Sequence, residues 1–128
     1  MIQTDEELRE LRQFLEVQSG LNPALLQRCG ALIHVGKYDE AVRSAFVLLE
    51  ERLRKAANVD RMTGTNLANY AFNADTGPLA KHLGRTKQER EGLRELYSGA
   101  FKLFRNPTAH TLVGYTAVEG KSIISLVN

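Results

Sequence analysis

Tryptophan is absent from this chain, cysteine occurs once, and no apolar run approaches the roughly 20 residues needed to cross a bilayer. Each absence excludes something. One thiol, Cys29, closes no internal disulfide, and no Cys/His set stands at ligand spacing, so neither a disulfide framework nor a structural zinc site is expected. The simplest reading of Cys29 is a small buried apolar residue. With aromatics at 7%, the core is expected to be mainly Leu, Val, Ile and Ala. Neither sign of charge dominates: Lys+Arg total 17 against Asp+Glu 15, a net +2 that is too mild to argue for nucleic-acid binding unless a local cluster carries it. No glycine-rich phosphate loop, repeat, low-complexity tract or domain linker occurs. No basic stretch followed by an apolar run opens the chain, so no signal peptide is expected and a reducing, cytoplasmic setting is the default.

What is present reads almost entirely as helix. The length of 128 residues fits a single domain over 1–128. Thr4 and Glu7 have capping-box spacing, and Leu8, Leu11, Phe14 and Leu15 mark one face of a first helix ending at Ser19–Gly20. Asn22–Pro23 is a second start signal, for a helix through Leu25, Leu26, Cys29 and Leu32–Ile33 that Gly36 closes. From Asp39, a broad apolar stripe (Ala41, Val42, Ala45, Phe46, Leu48, Leu49, Leu53) predicts a central core helix, with Glu50, Glu51, Arg52, Arg54 and Lys55 on its solvated face. Pairs Glu50–Arg54 and Glu51–Lys55 fit that face. Residues 56–65 read as a loop, Thr65 as the cap of a short helix, and 73–85 as a loop with one short helix. Thr86 and Glu89 open a fourth long helix, which Pro107 is expected to stop near Asn106. The tail 115–128 reads equally as helix or strand. Its abrupt apolar end leads to the expectation that the natural chain continues.

One segment stands apart, Phe104-Arg105-Asn106-Pro107-Thr108-Ala109-His110. Asn106 as N-cap with Pro107 at the first helical position predicts a new helix whose free backbone N–H groups attract a phosphate. Arginine binds two phosphate oxygens at once, and histidine titrates near neutrality. RNA cleavage without metal needs a base for the 2′-hydroxyl proton, a cation for the developing phosphoryl charge and an acid for the leaving 5′-oxygen. One Arg105 and one His110 supply about half of that set, so a symmetric dimer would complete it.

The Arg–x4–His spacing with a polar residue after the arginine is similar to the signature of the HEPN superfamily. The wider text resembles its Ymh family through Lys37–Val42, Leu48–Arg54, Gln88–Arg94 and the run from Ser98–Phe101 through Phe104–Pro107 to Ala109–His110, covering about residues 22–118. The resemblance implies an all-α, HEPN-like bundle of about four long helices plus short ones, dimerisation, and a composite Arg/His site at the dimer interface. It implies a metal-independent endoribonuclease, without cofactor, of the toxin–antitoxin, abortive-infection or other anti-phage type. Its partners would be RNA, a second copy and an antitoxin or other protein, with no membrane. Other members are catalytically silent and only bind RNA, nucleotide or protein, or drive oligomerisation of a larger defence protein. Carried over singly, Arg105 contacts the scissile phosphate, Asn106 orients it or the histidine, and His110 is the base. Glu50 or Glu51 corresponds to an acidic residue near the site in some families. The tyrosine that some HEPN toxins carry two residues past the histidine is replaced here by Leu112, with Tyr115 three further on.

The remaining polar residues have plainer readings. His34 fits a helix C-terminus, and His82 a solvated surface. Lys81, Arg85, Lys87 and Arg90 form a basic group suited to RNA contact, with Lys81 and Arg85 its best candidates, diluted by Glu89 and Glu91. Tyr70, Phe72, Tyr97, Phe101 and Phe104 are expected in the core or at a dimer interface, and Gly64 and Gly77 in turns.

Overall fold

A computed structural model describes residues 5–7, 9, 21–110 and 112–128, and leaves the side chains of Ala109 and His110 outside that description. Among the described residues every regular element is helical, as the sequence predicts. Residues 5–7 and 9 are helical, but Thr4, Leu8, Leu11, Phe14 and Leu15 lie outside the described residues, as does most of the first predicted helix.

Helix α1 spans Pro23–His34 and begins as its sequence dictates: the Asn22 side chain accepts from the Leu25 amide at 3.0 Å, with Pro23 next. It ends on Gly36, whose φ of 80° is the left-handed turn a side chain resists. The amide of Lys37 then reaches back to the Leu32 carbonyl at 2.8 Å. Helix α2, Tyr38–Ala57, is the central element and buries Ala41, Val42, Ala45, Phe46, Leu48, Leu53 and Ala57. It starts one residue before Asp39, whose side chain is used elsewhere. Helix α3 spans Gly64–Ala71, with Thr63 rather than Thr65 at its N-cap. Helix α4, Ala80–Leu83, is the short helix expected in 73–85.

Helix α5, Lys87–Ala100, opens with the predicted capping box: the Glu89 amide donates to Thr86 Oγ1 at 3.1 Å, and the Thr86 amide to Glu89 Oε2 at 3.0 Å. A π-helical turn, Phe101–Arg105, joins it to α6, Asn106–His110. The tail is helix, not strand: α7 spans Ala117–Val127 behind a second capping box of Thr116 and Glu119.

Helices α1 and α7 pack on α2, while α3 packs on α5. Gly120 lets α7 approach Tyr38 closely, since a Cβ there would meet Tyr38 Cβ at 2.9 Å. The buried core is mainly Leu, Val, Ile and Ala, as expected, and its largest fully buried side chains are Phe46, Phe72 and Phe101. Phe46 meets Phe101 edge-on, with centroids 5.7 Å apart, and Phe72 stacks on Tyr97 at 4.3 Å. Tyr70 is exposed. Cys29 is fully buried, its Sγ 3.4 Å from the Ala41 carbonyl, and burial pushes its thiol pKa up. Among the described residues, no helix is long and apolar enough to cross a membrane.

Candidate functional site

Pro107 has no N–H to continue a helical ladder, and its ring crowds the preceding turn. The chain does not stop there, contrary to the expectation. It widens the turn before the proline into π geometry and carries on. The Asn106 amide bonds to the Phe101 carbonyl, and its φ, ψ of −63°, −45° are helical. Asn106 is therefore not an N-cap, and α6 does not begin with the free amide cluster that a phosphate would seek. Thr108 secures the irregular turn: its buried hydroxyl lies 2.9 Å from the Phe104 carbonyl and 3.0 Å from that of Arg105.

The widened turn delivers Arg105 to Glu50, which the apolar pattern of α2 predicts on a solvated face and the resemblance implies near the site. Glu50 is only 3% exposed. Its Oε1 accepts from Arg105 Nε at 2.7 Å, and its Oε2 accepts from the Gly64 amide at 3.2 Å. One buried carboxylate of α2 thus anchors the arginine and caps the start of α3, a task Thr63 does not perform with its side chain. Arg54 stands 4.0 Å from Glu50 Oε2, while its own Nη1 donates to the Met62 carbonyl at 3.2 Å. Gly64 has a φ of 53° and leaves room beside Asn106, whose Oδ1 would lie 3.6 Å from a Cβ placed there. The Arg105 side chain is 22% exposed. Among the described residues its terminal Nη groups have no hydrogen-bond partner, and Asn106 beside it is exposed.

His110 is the last residue of α6, one turn past Arg105 along the backbone. Beyond it the chain is pinned again. The Asp39 carboxylate accepts from the amides of Val113, Gly114 and Tyr115 at 2.7, 2.9 and 2.8 Å. Partial burial raises the Asp39 pKa, but the three donors together outweigh it and hold the group below its ordinary value. Nothing local in the sequence signals this contact, which joins positions 74 to 76 residues apart.

The other predicted residues go elsewhere. Glu51 forms a two-pronged pair with Arg28 of α1, at 2.6 and 3.3 Å, in place of the expected pair with Lys55. That pair raises the Arg28 pKa and lowers that of Glu51. Lys81 and Arg85 are exposed around α4, and among the described residues no bond links either to Arg105, Asn106 or Glu50. His34 ends α1 at the surface, and His82 is exposed. Among the described residues no group of three or more His, Cys, Asp or Glu side chains converges as metal ligands would.

No curated protein and no solved structure matches the chain. A family model does: it describes a protein of unknown function (Hypoth_ymh) and matches residues 19–128, so the chain belongs to that family.

Proposed function

We propose that this protein is a metal-independent endoribonuclease of the HEPN type, active as a homodimer whose two Arg105/His110 sets share one cleft, and that it serves as a toxin or anti-phage effector. The observation that carries the reading is the split use of Arg105. Its Nε is fixed by a buried carboxylate while its Nη groups keep their donors, so the guanidinium is oriented yet able to receive phosphoryl oxygens. Asn106 stands exposed beside it, and His110 follows one helical turn later. In the reaction, a neutral His110 takes the 2′-hydroxyl proton as that oxygen bonds to phosphorus. Arg105 stabilises the equatorial oxygens. The protonated histidine of the second copy gives its proton to the departing 5′-oxygen, leaving a 2′,3′-cyclic phosphate and a 5′-hydroxyl.

The dimer has a surface to form on. Gly92, Leu96, Gly99 and Leu103 recur at spacings of four and three along one exposed side of α5 and its π turn, with Leu96 and Leu103 67% and 64% exposed. Two leucines flanked by glycines suit close helix-on-helix approach by a second copy, and the strip leads toward α6. A second reading, a silent HEPN module that binds RNA without cutting it, draws on the same Glu50–Arg105 bond, which would also serve a purely structural arginine. RNA cleavage in excess EDTA decides between them. Activity lost in both Arg105→Ala and His110→Ala supports the nuclease. A folded wild-type dimer that binds structured and unstructured RNAs and leaves them intact supports the silent module.

A further inference from the structure

We propose that the seam between α3 and α5 is a phosphate-binding track for single-stranded RNA, with Arg94 and Lys102 as its cations. The inference rests on the ribonuclease reading and gives its substrate a path to Arg105. A cleft of about 250 Å³ opens on this seam, lined by Asn69 of α3 and by Arg94, Glu95, Ser98, Gly99 and Lys102. Arg94, Ser98 and Lys102 are four residues apart and share one side of α5 and the π turn that continues it. That side faces α3, whose first residue, Gly64, sits beside Arg105 and Asn106.

Three arginines elsewhere in the bundle are committed to protein partners. Arg28 is paired with Glu51, Arg54 is bonded to the Met62 carbonyl, and Arg90 donates to the carbonyls of Ala74 and Arg85. Among the described residues Arg94 and Lys102 have neither an ion pair nor a hydrogen bond. Asn69 and the buried Ser98 add neutral polar groups to the wall. From Arg94 to Arg105 the helix rises about 16 Å, a run that a mononucleotide cannot bridge and a strand of several nucleotides can. Glu95 sits in the same lining and repels a passing phosphate. The basic cluster legible in the sequence, around Lys81 and Arg85, lies off this seam.

The test is fluorescence anisotropy of a short 2′-O-methyl RNA strand, which lacks the hydroxyl needed for cleavage, titrated with the full chain over a range of salt. The Arg94→Gln/Lys102→Gln double variant changes surface side chains only, and circular dichroism and thermal unfolding check its fold. We expect affinity to fall about tenfold and the slope of log affinity against log salt to fall by about 1.4, for two single-strand phosphate contacts at about 0.7 each. Glu95→Gln should tighten binding severalfold. If the double variant keeps wild-type affinity and slope while the wild type still cuts unmodified RNA, the track is overturned and the nuclease reading stands. A wild type that neither binds the strand nor cuts RNA overturns both.

Discussion

The Glu50–Arg105 pair makes a demanding stability prediction because the two carboxylate oxygens serve different donors. Oε1 takes the Arg105 Nε–H and Oε2 the Gly64 N–H. In Glu50→Gln one acceptor becomes an amide donor, so the side chain satisfies the arginine or the glycine amide but never both. The lost hydrogen bond and the newly unsatisfied buried donor together cost about 2–3 kcal/mol. Glu50→Ala removes both bonds and leaves space at a site 3% exposed, costing about 3–4 kcal/mol. Arg105→Ala strands a buried carboxylate, a change worth about 3–5 kcal/mol in a sealed interior. Here Arg54 at 4.0 Å and the 22% exposure of Arg105 bring it nearer 3. For a domain of this size each kcal/mol moves Tm by about 3–5 °C, so Glu50→Gln should melt roughly 6–15 °C below wild type. Urea denaturation of the four members of the double-alanine cycle should give a coupling of about 2 kcal/mol. A Glu50→Gln variant within about 0.5 kcal/mol of wild type, with additive alanine effects, would refute the account.

Three further perturbations test the segments around the site. Thr108→Val removes the hydroxyl bonded to the Phe104 and Arg105 carbonyls and keeps the shape, so denaturation should report a loss of about 1–2 kcal/mol with an unchanged m-value. Gly77→Ala sets a Cβ 2.5 Å from the Asn73 nitrogen and 2.6 Å from the Ala71 oxygen, both backbone, and should cost about 2–3 kcal/mol in thermal melts. Asp39→Asn should lower stability by about 1 kcal/mol at neutral pH, a figure kept small by solvent at the partly exposed carboxylate. Because the folded Asp39 pKa lies below its ordinary 3.8, that difference is fully present above pH 3.8. It should shrink as pH falls through the lower folded value, which melts across an acid series would follow.

The sequence announced what depends on neighbours along the chain. Asn22–Pro23 and Thr86–Glu89 cap their helices as read, and the apolar stripe of α2 is the core face. Thr116 and Glu119 carry the same capping signature and specify a helical tail, whereas the apolar run Ile123–Val127 is by itself compatible with helix or strand. Local signals fail where a distant group replaces a local one. Thr65 looked like a cap, yet α3 starts at Gly64 because a carboxylate from α2 supplies its acceptor. Glu50 looked solvated because its neighbours Glu51 and Arg52 are charged, and only the packing of the π turn on α2 buries it. Pro107 looked like a stop because the ordinary helical ladder has no place for it. A π turn, sealed by a hydroxyl one residue later, is a tertiary solution that no propensity encodes.

These contacts converge on one stretch. Most of the bundle is held by apolar burial, which tolerates sliding and repacking by fractions of a turn. The described residues on either side of position 111 are held instead by directional bonds: Glu50 on Arg105, Thr108 on the carbonyls of Phe104 and Arg105, and Asp39 on the amides of 113–115. His110 lies between the two carboxylate anchors, five residues after the first and three before the second. Both anchors project from α2, at its first turn and its middle, so α2 acts as the rule against which the segment is set. Apolar packing alone would stabilise such a segment without specifying where its backbone sits, whereas charge-assisted bonds of 2.7 to 2.9 Å specify it to within a few tenths of an ångström. Phosphoryl-transfer catalysis requires that degree of placement, since a displacement of about 1 Å can cost a hundredfold in rate. Under the proposed ribonuclease reading, the two carboxylates of α2 would therefore do more than stabilise the bundle: one orients the Arg105 guanidinium and the other fixes the backbone at 113–115.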